Sequence, residues 1–205
     1  MSIRLWGRRH SHNVRKVSWF LEELGVAYER IDIGGEFGMS EHYRSLNPNA
    51  LIPTIEDDGL ILWESNAILR YLASHYGGDC FWPGDPRARA RSDRWMDWQM
   101  GFARAQLDAF VNLARKTPEE RDDDAIDRSA AASSDMMRIL DGYLAEDPWL
   151  PGKAFGVGDI PMGVYAHTFF EPALGTEADF PNVRQWYQQL KSRGAYTDEV
   201  MLPLQ

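Results

Sequence analysis

The chain has 205 residues, a net charge of −9, 44% hydrophobic and 26% charged residues, and one cysteine, Cys80. That length allows one large domain or two small ones, each with a core of its own. The acidic balance argues against nucleic acid or an anionic membrane as partner, no apolar run approaches a membrane span, and a lone cysteine excludes an internal disulfide.

Ile3 to Trp6 reads as a short strand ended by Gly7, and the opening residues lack the apolar stretch of a signal peptide. A reducing, cytoplasmic setting is therefore expected. A helix is expected from Ser11 or His12, with Val14, Val17, Leu21 and Leu24 at helical spacing and Gly25 at its C-terminus. Val26 to Ile33 reads as a second strand, Gly34 to Gly38 as a loop, and Ser40 to Leu46 as a short helix. Pro53 to Glu56 and Leu60 to Leu62 read as strands joined through Asp57-Asp58-Gly59, a hairpin signal. Ser65 to Tyr76 reads as a helix with Ile68, Leu72 and Tyr76 on one stripe. The order strand–helix–strand, helix, strand–strand–helix implies a thioredoxin-like sheet with helices on both faces.

Strand signals then stop. Asp85-Pro86 reads as an N-cap with proline at the first helical position, opening a long helix through Trp95, Trp98, Phe102, Ala105 and Ala109. The acidic run Glu119 to Asp124 lacks the alternation and central glycine of a calcium loop and reads as a solvated connection. Ser129 to Leu144 and Pro181 to Leu190 read as helices. In Phe155-Gly156-Val157-Gly158-Asp159-Ile160, Asp159 can reach back to the Gly156 N–H, which makes it a structural capping residue.

Two stretches carry binding chemistry: Asn47-Pro48-Asn49-Ala50-Leu51-Ile52-Pro53-Thr54-Ile55 and Trp63-Glu64-Ser65-Asn66-Ala67-Ile68. A proline at a strand mouth removes a donor, and a cis bond at Ile52-Pro53 would turn the preceding backbone toward a ligand. Glu64-Ser65 at a helix start offers a carboxylate, a hydroxyl and free N–H groups together. The pair suits a ligand with an amine for Glu64 and a carboxylate for the helix N-terminus. Arg4, Arg8, Arg9, Arg15 and Lys16 form a basic patch, either a solvated helix start or an attraction for an anionic ligand.

These stretches, with Arg8-Arg9-His10-Ser11-His12-Asn13-Val14-Arg15-Lys16-Val17, Leu21-Glu22-Glu23-Leu24-Gly25-Val26-Ala27-Tyr28-Glu29 and Trp82-Pro83-Gly84-Asp85-Pro86, resemble the cytosolic glutathione transferases, in particular the serine-using, theta-like bacterial type. The resemblance covers nearly the whole chain. It implies an α/β plus all-α fold: a thioredoxin-like, glutathione-binding domain over 1–78, a linker over 79–86, and an all-helical domain over 87–205. The helical part would contribute the electrophile site and the contacts of a homodimer. It implies glutathione as co-substrate, a small hydrophobic electrophile, and no metal. Leu51, Ile52 and Pro53 would hold the cysteinyl backbone of glutathione, and Glu64 and Ser65 its γ-glutamyl end.

A free thiol ionises at about 8.5, so catalysis needs a donor aimed at the sulfur. The resemblance gives that role to Ser11, with Asn13 orienting the site; the alternative for Ser11 is a plain N-cap. Electrophile-binding candidates are Trp6, His10, Phe102, Gln106, Phe110 and His167, with Phe169 beside them. His10 and His12 form a His-x-His pair, but His42, His75 and His167 bring no ligand spacing, so the pair reads as polar loop residues. Cys80 lies far along the chain from the first helix and reads as a buried packing residue. Leu51 stands where the family often has Lys or Arg for the glycyl carboxylate, with His42 or Arg44 as substitutes.

The function expected is conjugation of the glutathione thiolate to small apolar electrophiles, a detoxification chemistry. The alternatives are glutathione-dependent reduction of disulfides or peroxides on the same fold, or a catalytically silent, transferase-like binding protein.

Overall fold

The first strand, β1 (Ile3–Trp6), sends successive side chains to opposite faces, as the period of two requires. Ile3 and Leu5 belong to the main core, while Trp6 joins Ile33 and Tyr43 in a second cluster on the other face. The computed structural model describes residues 3–170 and 179–203. The sheet has the order β2–β1–β3–β4, with β2 Tyr28–Ile31, β3 Thr54–Asp57 and β4 Leu60–Trp63. The β1–β2 pair is parallel and the β1–β3 and β3–β4 pairs are antiparallel. Helices α1 (His12–Leu24) and α3 (Ser65–Tyr76) pack together on the main-core face, and α2 (Glu41–Leu46) supplies Tyr43 to the second cluster. This is the thioredoxin-like layering expected.

Gly7 is required where β1 turns toward α1. Its φ is 151°, and a Cβ there would stand 2.4 Å from the Val14 side chain. Gly25 closes α1 in the left-handed conformation, φ 64°, donating its N–H to Glu22 and Leu21 carbonyls. The second strand is shorter than the sequence implies, because Val26 is still tied to α1 by its N–H to the Leu21 carbonyl at 3.0 Å. The Gly34–Gly38 loop contains a 3₁₀ turn, Gly35–Phe37.

The stretch expected as linker holds a short helix, α4 (Gly78–Phe81). Phe81 turns inward against Phe20 and Phe155, which leaves Cys80 outside. Cys80 is exposed, so the packing role expected for it is corrected.

Beyond it the described residues are helical: α5 (Pro86–Arg115), α6 (Asp123–Leu144), α7 (Asp159–Phe170), α8 (Pro181–Lys191) and α9 (Gly194–Glu199). Asp85 caps α5 by accepting from the Arg87 N–H at 2.9 Å, as its sequence implies. The acidic connection lies mostly at the surface, and α6 starts at Asp123 with Asp122 as its cap. Helix α7 is apolar nearly all round and buried, so it has no amphipathic period to betray it. Gly163 lets it approach α1, since a Cβ there would meet the Trp19 ring at 2.8 Å.

Asp159 is fully buried and accepts from the N–H groups of Leu150 and Gly156 and from Trp186 Nε1, at 2.9, 3.0 and 2.9 Å. It ties the loop before α7 to α8, a structural role as the sequence implies. Arg15 is similarly buried, at 2% exposure, with NH1 on the Val200 carbonyl at 3.3 Å and NH2 on the Pro203 carbonyl at 3.4 Å. The segment after α9 is thereby held against the first turn of α1. Among the described residues no helix is long and apolar enough to cross a membrane.

Candidate active site

The turn before β3 is fixed by Asn47. Its side-chain amide donates to the Leu51 carbonyl at 2.9 Å, and its oxygen accepts the Asn49 N–H at 3.0 Å. Tyr43 adds a bond from its hydroxyl to the same Leu51 carbonyl at 2.5 Å. The Ile52–Pro53 bond is cis. Leu51 points outward, 64% exposed.

Across a narrow groove, α3 begins at Glu64-Ser65. Glu64 holds φ 72° and ψ 108°, a conformation costly for a residue with a Cβ, and its side chain makes no capping bond. Ser65 donates to Asn13 Oδ1 at 3.2 Å. The groove between these two elements, about 50 Å³, is lined by Asn13, Asn47, Asn49, Leu51, Ile52, Pro53, Glu64 and Ser65. All the residues expected at the glutathione site except Ser11 therefore line one groove.

Asn13, Glu64 and Ser65 also wall a second cleft, of about 220 Å³, that reaches α5 and α7 through Lys16, Gln99, Arg104 and Tyr165. Lys16 is 2% exposed. It donates to Gln99 Oε1 at 2.7 Å and to Ser65 Oγ and Asn66 Oδ1 at 3.4 Å each, with the Tyr165 ring 5.4 Å away. Burial pushes its ammonium down to about 7, against the upward pull of Glu64. The sequence places Lys16 in a basic patch and in the stretch Arg8 to Val17 that carries the resemblance, without a role of its own. The available signal was its position three residues after Asn13 and four before the fully buried Phe20, on a face that should be apolar.

Tyr165 also borders a third cleft, of about 130 Å³, with His12, Ala103, Gln106, Leu107, Phe110 and Arg115. His12 stacks on Tyr165 at 4.9 Å, meets the Phe110 ring at 4.8 Å and shares a hydrogen bond of 2.7 Å with Thr168 Oγ1. Burial first, then the cations Arg15 and Lys16, push its imidazole down to about 3, so it is neutral near pH 7. It is thus a wall of the aromatic cleft and no loop residue.

Of the expected electrophile contacts, Gln106 and Phe110 line this cleft and the rest do not. Phe102 and Phe169 are core residues, 0% and 2% exposed. His167 is buried with its ring nitrogens on Tyr187 Oη at 3.0 Å and the Leu202 carbonyl at 3.2 Å. Trp6 packs under α2 against His42 and Tyr43, since the strand period sends it to the sheet's other face. His10 stands beside Arg15 NH2 at 3.4 Å, and burial and that guanidinium lower its pKa. Ser11 occupies the N-cap position of α1 with extended backbone and accepts the Arg15 N–H on its carbonyl at 2.9 Å. Its hydroxyl makes no capping bond, and the residue is half-buried. Among the described residues, no three His, Cys, Asp or Glu side chains form a cluster able to hold a metal ion.

Known proteins share this architecture. Residues 1–74 match the glutathione S-transferase N-terminal domain and residues 102–193 the glutathione S-transferase C-terminal domain. The chain is 44% identical to glutathione S-transferase GstB of Escherichia coli strain K12, over 98% of this chain and 99% of that one. It is 29% identical to the disulfide-bond oxidoreductase YfcG of the same strain, over 94% and 92% of the two chains. Among solved structures, the theta class glutathione S-transferase of Xanthomonas axonopodis pv. citri with glutathione bound superimposes with a TM-score of 0.94 at 43% identity, covering 100% of this chain and 99% of that one.

Proposed function

The chain belongs to the glutathione S-transferase family, and on that premise we propose that it binds glutathione in the groove between Ile52-Pro53 and Glu64-Ser65 and adds its thiolate to small apolar electrophiles. The observation that supports this reading is that the groove and an aromatic cleft each share walls with the Lys16 cleft between them. Ser65 and Glu64 border the groove and the Lys16 cleft, and Tyr165 borders the Lys16 cleft and the aromatic one. A peptide in the groove would thus have an apolar chamber within reach.

In this reading Glu64 meets the amine of the γ-glutamyl end, and Ser65 and the α3 N-terminus take its carboxylate. Leu51 and Ile52 hold the cysteinyl backbone. Ser11, at the positive end of α1 with its hydroxyl uncommitted to capping, donates to the sulfur, and Asn13 orients the site through Ser65. His12, Phe110, Tyr165 and Gln106 receive the electrophile. The glutathione unit is residues 1–78, the helical unit begins at 87, and the protein works as a homodimer in a reducing cytoplasm.

Retention on immobilised glutathione, followed by an assay with a generic aryl halide, tests the proposal. Turnover supports it; retention without turnover of either an aryl halide or a mixed disulfide points to a silent binding protein. Turnover of the disulfide alone would favour the reductase chemistry that the name of the Escherichia coli oxidoreductase suggests. The first loop of this chain has no cysteine to start such chemistry, and Cys80 sits on α4.

A further inference from the structure

Lys16 places its amino group almost out of water with only neutral hydrogen-bond partners. Three acceptors surround its nitrogen, the side-chain oxygens of Gln99, Ser65 and Asn66, enough for all three N–H groups of the protonated form. Hydrogen bonding is satisfied, but no bonded partner carries negative charge, and a buried charge without a counter-charge is costly. The two longer bonds, 3.4 Å each, run to the first two residues of α3, where unpaired backbone N–H groups already favour an anion. The ammonium also borders the open cleft of about 220 Å³.

We propose that Lys16 is the counter-charge for the γ-glutamyl carboxylate of glutathione, and that a proton is taken from solvent onto Lys16 when that carboxylate seats at the start of α3. The inference rests on the glutathione reading above and adds a partner and a proton count to it. In the free protein burial holds Lys16 at about 7, so its amine is largely neutral at pH 8. A carboxylate at ion-pair distance restores the ammonium, and the proton comes from buffer. The other groups facing Lys16 do not substitute for that anion. Glu64, at the N-cap of α3, is the acid that acts on it, and in this reading it is committed to the ligand's amine. Tyr165 on α7 is a neutral phenol pushed up to about 12, Arg104 on α5 is a cation at the same cleft, and His12 one turn back on α1 is neutral.

The test is calorimetry with S-methylglutathione, which has no thiol proton, in two buffers of different ionisation heat. The slope of observed heat against buffer heat counts protons taken up. Lys16→Met keeps an unbranched side chain one atom shorter and loses the charge, so it reports whatever the ligand's own amine contributes. Wild type is expected to take up more protons than Lys16→Met, and the difference should grow from pH 7 to pH 8. Affinity should fall about tenfold or more in the variant. Gln99→Glu, which places a carboxylate on the partner at 2.7 Å, should keep Lys16 charged and abolish the uptake in a folded protein. Equal proton uptake in wild type and Lys16→Met, or full uptake in Gln99→Glu, overturns the inference while leaving glutathione binding intact. Failure of wild type to bind S-methylglutathione at all overturns the glutathione reading as well.

Discussion

Ser65 donates its hydroxyl proton to Asn13 Oδ1 at 3.2 Å, joining the start of α3 to the first turn of α1 across 52 positions of sequence. Ser65 Oγ in turn accepts from Lys16 at 3.4 Å. To donate to a ligand carboxylate the hydroxyl must turn from Asn13, so binding exchanges a neutral bond for a charge-assisted one. Ser65→Ala should therefore weaken glutathione binding by about 1–3 kcal/mol, the scale of a charge-assisted bond. Calorimetry that finds wild-type affinity in Ser65→Ala would remove Ser65 from the site.

Ser11→Ala should separate rate from stability. The hydroxyl makes no capping bond, so its loss should cost less than the ~1 kcal/mol typical of a lost cap. If it donates to the thiolate with roughly 1.5–3 kcal/mol, conjugation should slow by about one to two orders of magnitude. The pH–rate profile should move to higher pH. Thiolate absorbance of bound glutathione, titrated in both proteins, reads this directly. An unchanged midpoint would transfer the role, with Asn13 and His12 next to test.

Glu64 sits at φ 72°, where a Cβ costs about 1–2 kcal/mol that glycine avoids. Glu64→Gly and Glu64→Ala both remove the carboxylate and should both lose glutathione affinity. Only the first relieves the backbone, so it should be the more stable of the two by about 1 kcal/mol after glycine's own entropic cost. Urea denaturation of the pair decides it; a less stable glycine variant would mean that φ 72° carries no strain.

Acid stability should depend on His12. Its folded value, about 3, lies below its ordinary 6.5, so the unfolded chain binds more protons between those values. Its contribution is complete above pH 6.5 and is lost as pH falls toward 3. Asp159 works in the opposite sense, because burial raises it from 3.8 to about 7 and the folded chain holds the extra proton between. His12→Gln should leave the Asp159 slope exposed. The stability difference between wild type and His12→Gln should therefore grow as pH rises from 3 to 6.5, by denaturation at several pH values. A flat difference would mean that His12 is charged in the fold.

Strand β4 is the sheet edge and leaves Leu60, Ile61 and Trp63 at 41%, 41% and 37% exposure, while Met100 and Leu107 on α5 stand at 48% and 52%. Apolar side chains on an open edge and on the long helix favour a two-fold partner. Light scattering at micromolar concentration should give twice the mass of one chain. Lys at both Leu60 and Trp63 should shift it toward one.

Much of this was legible because it is written locally. Asp85-Pro86 names its own helix start, Gly25 its own stop, and Asn47 through Pro53 a turn entering a strand. Glu64-Ser65 announced a helix start. Lys16 was not legible as the wall of a cleft, because its place depends on Gln99, 83 positions away. Phe102, His167 and Gln106 share helical spacing and aromatic or polar character. Only packing decides that the first two are core and the third borders a cleft. Helix α7 hid for the opposite reason: buried on every side, it has no polar face to set a period.

The guanidinium of Arg15 is bound to carbonyls as far as 188 positions downstream, at Val200 and Pro203. In a growing polypeptide those acceptors do not yet exist when the first helix leaves the ribosome. At about 5–20 residues per second they follow by roughly 10–40 s. Until then the segment bearing Ser11 lacks the clasp that holds it. A newborn chain therefore has its sheet-forming residues in hand well before Arg15 can be held in place.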